Sequence, residues 1–388
     1  EKSEKNPPDE GYWGHWPFNF PEFIPDEALI KSASEKSDAA VIIIGRAAGE
    51  DRENKLSKGS YHLTDDEIRL LDAVTASFEK TVVVLDCGNI IDMEKISSYG
   101  KKISAILYAF QGGMESGNAL CDVLTGKVNP CAKLTDTIAV KYSDYPSSKS
   151  FGGKAYNNYT EDIFVGYRYF ETFAPEKVLY PFGYGLSYTT FKIEAVDFEK
   201  NENGIQLSIR VTNTGKVAGK EIVQIYCEQP SGATSTAKRV LCDFAKTDIL
   251  NPNESCTIIF NIPLYTISSY DDSGKTGFES SYVLLEGEYK FFASDCVRGG
   301  TECGSFSVES TYPIVKLQPV CSVKNGFDRM IRTANGKISE EPVPMSNVDL
   351  KERILKNLPK DLPHSLDKGY KLSDVKKKKG GGLRCALI

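Results

Sequence analysis

The sequence predicts a mixed fold, in which a parallel-sheet α/β sandwich domain is followed by an all-β domain of the antiparallel sandwich type. Its 388 residues are enough for two or three domains. Short apolar runs alternate with helical patterns over residues 38–140, which is typical of βαβ units. Alternating apolar positions separated by turn residues then fill residues 190–310, which is typical of a β-sandwich.

Three apolar runs are predicted to be the parallel strands. They are Ala39–Ile44, Thr81–Leu85 and Ile103–Tyr108. The first is a short continuous apolar run, so we expect a strand that is buried on both faces. Helical patterns between the runs imply right-handed crossovers and therefore a parallel sheet.

The helix between the first two strands has a clear start signal. Thr64 and Glu67 have the spacing of a capping box, and the acidic residues of this first turn suit the positive end of the helix dipole. A second helix is predicted to follow Gly112 and Gly113 and to end near Gly126, a typical C-terminal glycine.

The chain is predicted to divide into five segments. The first is rich in proline and aromatic residues, and we interpret it as a packing arm rather than as an aromatic platform for a sugar. The segments are an arm at 1–37, the α/β domain at 38–190, a sandwich at 191–312, a linker at 313–375 and a basic, glycine-rich tail at 376–388.

Composition and charge exclude several classes of protein. The chain is 40% hydrophobic and 26% charged, which excludes disorder throughout, and a formal net charge of -6 argues against nucleic acid as a partner. No run of about 18 apolar residues predicts a membrane helix. The three histidines are far apart, so we expect no metal site and no cofactor.

The cysteine pattern bears on the cellular compartment. Ten cysteines stand at irregular spacings, without a paired C-x-x-C zinc pattern or the look of a disulfide scaffold. We therefore predict free, buried thiols in a reducing compartment, which favours a cytoplasmic location over a secreted one. Oligomeric state is not predicted by any pattern in the sequence.

The segment after the first strand is the candidate functional loop. It is dense in charge, from Arg46 to Asn54, and it is longer than such connections need. A nucleotide site is disfavoured, because the next helix begins too far along the chain to hold a phosphate. Two interpretations stay open: a solvated loop with local ion pairs, or a loop that presents a partly desolvated carboxyl as a general acid.

This loop resembles the acid/base loop of family 3 glycoside hydrolases of the β-glucosidase type. The similar residues are Ile43–Asn54, and further blocks of the family's pattern follow in order. One departure is Ala132, which stands where a glycine is usual and affects a turn rather than the chemistry. The further blocks are Phe110–Gly117, Asp122–Gly126, Tyr159–Phe170 and Tyr180–Phe191.

The resemblance implies a retaining hydrolysis of terminal β-linked sugars, in an oligosaccharide or a β-glucoside, by two carboxyl groups. The family's acid/base glutamate corresponds to Glu50, with Asp51 and Glu53 as the alternative carboxyls. Arg46, Asp51 and Asn54 are candidate substrate-binding residues. Arg46 could contact the substrate or pair with Glu50, and both interpretations stay open.

The family's nucleophile is an aspartate in a (β/α)8 barrel, which is predicted to be absent from this chain. A barrel needs about 250 residues, more than the two predicted domains leave. Val348–Pro359 resembles the linker of family members in which the barrel follows, so the barrel is the expected partner and this chain alone is expected to be inactive. A non-catalytic carbohydrate-binding or assembly module, or an inactive fragment, is the alternative.

The final four residues admit two interpretations. Cys385–Ile388 has the form of a prenylation box behind a basic run, which would mean a membrane anchor. An accidental end that replaces the barrel is the interpretation we favour, and a membrane partner is not expected.

Overall fold

The computed structural model describes residues 19–47, 54–152, 155–319, 323 and 325–345. One compact unit contains the chain up to Leu317 together with Phe327–Val343. A second unit contains residues 318–326 and the chain from 344 onward, of which the structure describes only a few positions.

The α/β domain is built on a parallel sheet with the strand order β1-β2-β3. The pairing aligns Ile42 with Val83 and Val83 with Ile106. This confirms the predicted parallel sheet. Its strands are β1 (Ala39–Gly45), β2 (Lys80–Asp86) and β3 (Ala105–Tyr108), and its helices are α1 (Glu27–Ser34), α2 (Asp65–Ser77), α3 (Met93–Ser97) and α4 (Ser116–Leu124).

The predicted start of helix α2 is confirmed. The Thr64 hydroxyl accepts a hydrogen bond from the Glu67 backbone N–H, and the Glu67 carboxylate accepts one from the Thr64 backbone N–H. Leu71 and Val74 on this helix pack against the sheet in the core that also buries Val83 and Leu85. The helix is thus fixed at its first turn by capping and along its length by apolar burial.

The expectation that β1 is buried on both faces is wrong for this structure. Ile42 and Ile44 are buried, whereas Val41 and Ile43 on the opposite face are 49% and 52% exposed. The physical reason is that no described element covers this face of the strand. A run of apolar residues fixes the strand but does not say what covers each face.

The rest of the α/β domain leads into the sandwich through a short antiparallel pair, β4 (Ile138–Ala139) and β5 (Val178–Tyr180). Helix α5 (Tyr167–Phe173) lies between them in the chain and buries Phe170.

The sandwich consists of a three-stranded sheet, β10-β7-β6, and a four-stranded sheet, β14-β13-β8-β9. Their inward residues, such as Leu207, Ile225 and Phe291, share one core. The predicted antiparallel all-β domain is therefore confirmed. The strands of these two sheets are β6 (Phe191–Lys200), β7 (Gly204–Asn213), β8 (Ile222–Glu228), β9 (Val240–Lys246), β10 (Ser255–Pro263), β13 (Gly287–Ser294) and β14 (Thr301–Val308). Two further strands, β11 (Ser269–Asp271) and β12 (Ser281–Leu284), belong to a separate sheet.

A buried glutamine joins the sandwich to the preceding domain. The Gln224 side-chain amide donates to the carbonyls of Gly183 and Asp295 at 3.3 and 2.7 Å, and its oxygen accepts the Tyr226 hydroxyl at 2.5 Å. Gly183 has a φ of +79°, and any side chain there would overlap Gln224. Glycine is therefore required at this position for two reasons, backbone conformation and space.

The described part of the predicted linker contains strands. Strand β15 (Tyr312–Lys316) pairs with β12, and β16 (Asp328–Arg332) forms a hairpin with β17 (Ile338–Pro342). Arg329 of this hairpin binds the carboxylates of Asp162, Asp272 and Glu341. One guanidinium thus joins the hairpin to two other parts of the compact unit.

The eight cysteines that the structure describes are free, as predicted, but only Cys87 and Cys227 are buried. The expected burial of the thiols is therefore wrong for the other six. Among the described residues, no helix is long and apolar enough to cross a bilayer.

Asp271 holds a turn that closes the β11–β12 connection. Its carboxylate accepts hydrogen bonds from the backbone N–H groups of Ser273, Gly274 and Thr276 at 2.8–3.1 Å, and from the hydroxyls of Ser273 and Thr276. Burial raises the pKa of Asp271, but these hydrogen bonds outweigh it, so the net pKa lies below the usual 3.8.

Asp271→Asn is expected to lower the free energy of unfolding at pH 7 by about 1–3 kcal/mol, because the amide leaves buried donors without an acceptor. A depressed carboxyl pKa stabilises the fold above the unfolded pKa, and this contribution is lost as pH falls through the folded pKa. Urea unfolding should therefore show a difference from wild type that shrinks below about pH 4. The exposed Asp248→Asn serves as control, and an equal loss in both variants would contradict the assignment.

Candidate functional site

The candidate site lies at the carboxyl end of the parallel sheet, where ligands meet such sheets. The loop that follows β1 begins after Gly45, and the described chain resumes at Asn54. Residues 48–53, which include Glu50 and Asp51, lie outside the described residues. The structure therefore describes the two ends of the loop and the groups that hold them.

The N-terminal end of the loop is held by the buried side chain of Arg46, which is 6% exposed. Its guanidinium forms a two-pronged ion pair with the Glu67 carboxylate, with Nη2 at 2.9 Å from Oε2. Nε donates to the Ser60 carbonyl at 3.1 Å, and Nη1 donates to the Gly45 carbonyl at 2.9 Å. Four of the five guanidinium N–H groups are thus occupied within the domain.

Glu67 has two functions in this arrangement. It is 1% exposed, and its Oε2 atom accepts both the Thr64 backbone N–H at 2.7 Å and Arg46 Nη2. The Glu67 carboxylate therefore interacts both with the positive end of the helix α2 dipole and with Arg46 at the end of β1. Because both side chains are buried, removal of one partner leaves the other as a buried charge without its counter-charge.

The C-terminal end of the loop is held by Asn54 and Ser60. The Ser60 hydroxyl donates to Asn54 Oδ1 at 2.7 Å and accepts the Lys55 backbone N–H at 2.9 Å. Asn54 Nδ2 donates to the Ile90 carbonyl at 2.8 Å. Since the Ser60 carbonyl also accepts Arg46 Nε, Ser60 joins both ends of the loop.

A second contact fixes the backbone of Arg46 itself. Gln111, in the loop after β3, donates its amide to the Arg46 carbonyl at 3.0 Å. The same side chain packs so closely on Gly88, after β2, that a Cβ there would force it to move. Segments that follow β1, β2 and β3 are in this way tied together at one edge of the sheet.

The charges at this edge affect neighbouring titratable groups. Burial and the Glu67 carboxylate raise the pKa of Glu22, although Arg46 opposes the shift. Burial raises the pKa of the Cys87 thiol to about 12, again against the influence of Arg46. Cys87 is therefore a neutral thiol at physiological pH and not an activated nucleophile.

The structure describes two of the four site residues that the sequence predicts. Arg46 and Asn54 are described, and their side chains bind the domain's own groups, with Glu67 as the observed partner of Arg46. Glu50 and Asp51 lie outside the described part of the chain. Sequence reasoning missed the positioning contacts of Ser60 and Gln111, since neither belongs to a motif. Within the described residues, no cluster of three or more acidic, histidine or cysteine side chains could hold a metal.

Comparison with known proteins identifies the class of these domains. Residues 26–188 match the glycosyl hydrolase family 3 C-terminal domain, and residues 221–295 match a fibronectin type III-like domain. The α/β domain is therefore a C-terminal domain of the glycosyl hydrolase family 3 type, and a fibronectin type III-like domain follows it.

Individual relatives agree with this classification. The chain is 46% identical to a β-glucosidase of Ruminococcus albus over 94% of its own length and 38% of that protein. It is 37% identical to the thermostable β-glucosidase B of Acetivibrio thermocellus, over 86% of this chain and 45% of that one.

Solved structures show the same fold. A β-glucosidase from Paenibacillus barengoltzii superposes with a TM-score of 0.87 at 38% identity, over 92% of this chain and 41% of that one. β-Glucosidase 3B of Thermotoga neapolitana gives 0.71 at 34% identity, over 80% and 43%. The chain thus spans less than half the length of each of these four relatives.

Glu67→Gln is expected to lower the free energy of unfolding of this chain by about 3 kcal/mol, because it leaves Arg46 as a buried charge without its counter-charge. Chemical denaturation at pH 7 measures the change.

Asp65→Asn is the matched control, since Asp65 lies in the same helical turn but pairs with Lys58 in the open, with both side chains more than 60% exposed. It should change the unfolding free energy by no more than about 0.5 kcal/mol. Equal effects of the two substitutions would show that the buried ion pair does not hold this edge together.

Proposed function

We propose that this chain is the acid/base-bearing part of a retaining β-glucosidase, with Glu50 as the general acid/base. The observation that supports this proposal most directly is the anchoring of the candidate loop at both described ends. Arg46 with Glu67 holds one end, and Asn54 with Ser60 holds the other. The names of the relatives, each called a β-glucosidase, support the substrate class.

The proposed chemistry needs a carboxyl group that is held in place without being buried in its own domain. Glu50 protonates the glycosidic oxygen as the aglycone leaves, and its carboxylate then takes a proton from the water that hydrolyses the glycosyl-enzyme. A loop that is anchored at both described ends suits this role, since Glu50 lies between the anchors in the chain. In this arrangement Arg46 positions the loop and need not touch the sugar.

The nucleophile is proposed to come from a part of the protein outside this chain. Retention needs the two carboxyl groups about 5–5.5 Å apart, so the partner surface must approach the carboxyl edge of the sheet. The described residues form no (β/α)8 barrel, and the chain spans less than half the length of the relatives it matches. We therefore propose that the isolated chain has no glycosidase activity.

The proposal is tested in a chimeric enzyme, in which this chain replaces the matching part of the Ruminococcus albus β-glucosidase. Glu50→Gln should lower kcat on an alkyl β-glucoside by roughly 10²–10⁴-fold, since proton transfer is lost. The rate of the first step with a dinitrophenyl β-glucoside should fall far less, because that leaving group needs no proton. Steady-state and pre-steady-state kinetics separate the two effects.

Glu53→Gln is the matched control in the same loop. It should retain most of the activity, and the isolated 388-residue chain should show no activity, like its own Glu50→Gln variant. If Asp51→Asn or Glu53→Gln shows the leaving-group dependence instead, Glu50 is not the acid/base. Turnover of a β-glucoside by the isolated wild-type chain would contradict the proposal that the nucleophile lies outside this chain.

A further inference from the structure

A cavity of about 320 Å³ lies against the β16–β17 hairpin. The connection between β8 and β9 forms a second wall, and the turn after β11 forms a third. All of its lining residues belong to one compact unit, and none belongs to the candidate loop from Arg46 to Asn54. Small-molecule sites have volumes of about 300–1,000 Å³, so the cavity is large enough for a small organic ligand.

Three carboxylates line this cavity, and each of them is already bound within the protein. The Arg329 guanidinium lies 3.0 Å from the carboxylate of Asp162 and 2.9 Å from those of Asp272 and Glu341. Glu341 also pairs with Lys275. The acidic groups of the wall are therefore engaged by the protein's own cations, and they do not by themselves require a ligand.

Arg332, at the end of β16, is the exception among the charged groups of the wall. Within the described residues, its guanidinium has neither an ion pair nor a hydrogen bond. Its Nε atom is buried, whereas its two terminal nitrogens, which also lack a partner, are not closed off from solvent. Four unoccupied N–H donors are thus accessible on a group that is always charged.

Two hydroxyl groups of the same wall are donors without an acceptor. Ser235 Oγ accepts the backbone N–H of Arg332 at 2.7 Å, and its own proton has no acceptor in the part of the chain that the structure describes. The exposed Tyr270 hydroxyl likewise has no hydrogen bond to a described residue. A ligand that brings acceptors therefore completes the wall. A cation would be repelled by Arg332 and would have to compete with Arg329 and Lys275 for the carboxylates.

The form of the free donors and the apolar lining select the kind of anion. A planar guanidinium can donate two parallel hydrogen bonds to a carboxylate group. Ile163, Tyr270 and Ile331 add apolar surface, and the cavity has room for several carbon atoms beyond the carboxylate. The wall therefore favours an organic acid over an inorganic anion.

We propose that this cavity binds a small organic carboxylate with an apolar body, and that Arg332 binds its carboxylate group. The hydroxyls of Ser235 and Tyr270 donate hydrogen bonds to the same ligand. Because water competes for the accessible end of the guanidinium, we expect weak, saturable binding in the millimolar range. The proposal does not rest on the acid/base role of Glu50.

Two sources can supply such a carboxylate: a free organic acid, or an acidic side chain of the polypeptide that lies outside this chain. The isolated chain leaves the cavity open in both cases. In the chimeric enzyme a free acid still binds, whereas an acidic side chain that already occupies the cavity excludes it. Binding to the isolated chain but not to the chimera therefore identifies the second source.

The test is a titration of the isolated 388-residue chain with phenylacetate, followed by saturation-transfer NMR of the phenyl protons. Arg332→Gln should raise the Kd by about tenfold or more, the usual effect of losing a hydrogen bond between charged groups. Arg332→Lys, which keeps the charge but not the planar fork, should give an intermediate Kd. Neither variant should unfold at a lower temperature than wild type, because Arg332 has no ion pair among the described residues to lose.

Arg210→Gln is the matched control, since Arg210 is an exposed arginine on β7 outside the cavity. This variant should bind phenylacetate like wild type, although it loses the same charge. Two further ligands test the chemistry of recognition. Phenylacetamide has nearly the same shape without the charge, and phenethylamine carries the opposite charge, so both should bind more weakly than phenylacetate.

Three results would overturn the proposal. The first is no saturable binding of phenylacetate to the isolated chain. The second is equal binding of phenylacetamide, or tighter binding of phenethylamine, which would assign the cavity to its carboxylates instead. The third is an unchanged Kd in Arg332→Gln, or a loss of binding in that variant together with a lower unfolding temperature, which would give Arg332 a structural role.

Discussion

The buried ion pair between Arg46 and Glu67 is the interaction on which the candidate site depends. It connects the end of β1 to the first turn of α2, and through the Ser60 carbonyl it reaches the returning chain at Asn54. Charges in such a dry setting are stable only when each has its partner. The pair therefore tolerates few changes, and it fixes the described ends of the loop.

Whether the sequence predicts a contact depends on how far apart the two residues lie in the chain. The capping box of Thr64 and Glu67 is local, three residues apart, and the sequence predicts it correctly. The pairing of Glu67 with Arg46 spans 21 residues and depends on how the helix packs on the sheet. No spacing in the sequence encodes that contact, so the sequence alone leaves the substrate and Glu50 as the two candidate partners of Arg46.

The same distinction explains the error about burial and the strands that were not predicted after residue 312. The apolar run of β1 predicts a strand, but the exposure of Val41 and Ile43 depends on which elements cover each face. The region after residue 312 has scattered prolines and no clear period, yet Arg329 fastens a hairpin there through three acidic partners. The fold class and family blocks could be predicted from the sequence, because periodicity and motifs are local, whereas the contacts that position the site are tertiary.

A crystal structure of the chimeric enzyme with bound glucose would test the central claim most directly. The account predicts that the Glu50 carboxyl group lies about 5–5.5 Å from the carboxyl group of the barrel's nucleophile, with Arg46 still paired to Glu67 at the base of the loop. A Glu50 side chain directed under its own sheet, or a different carboxyl group at that distance, would contradict it.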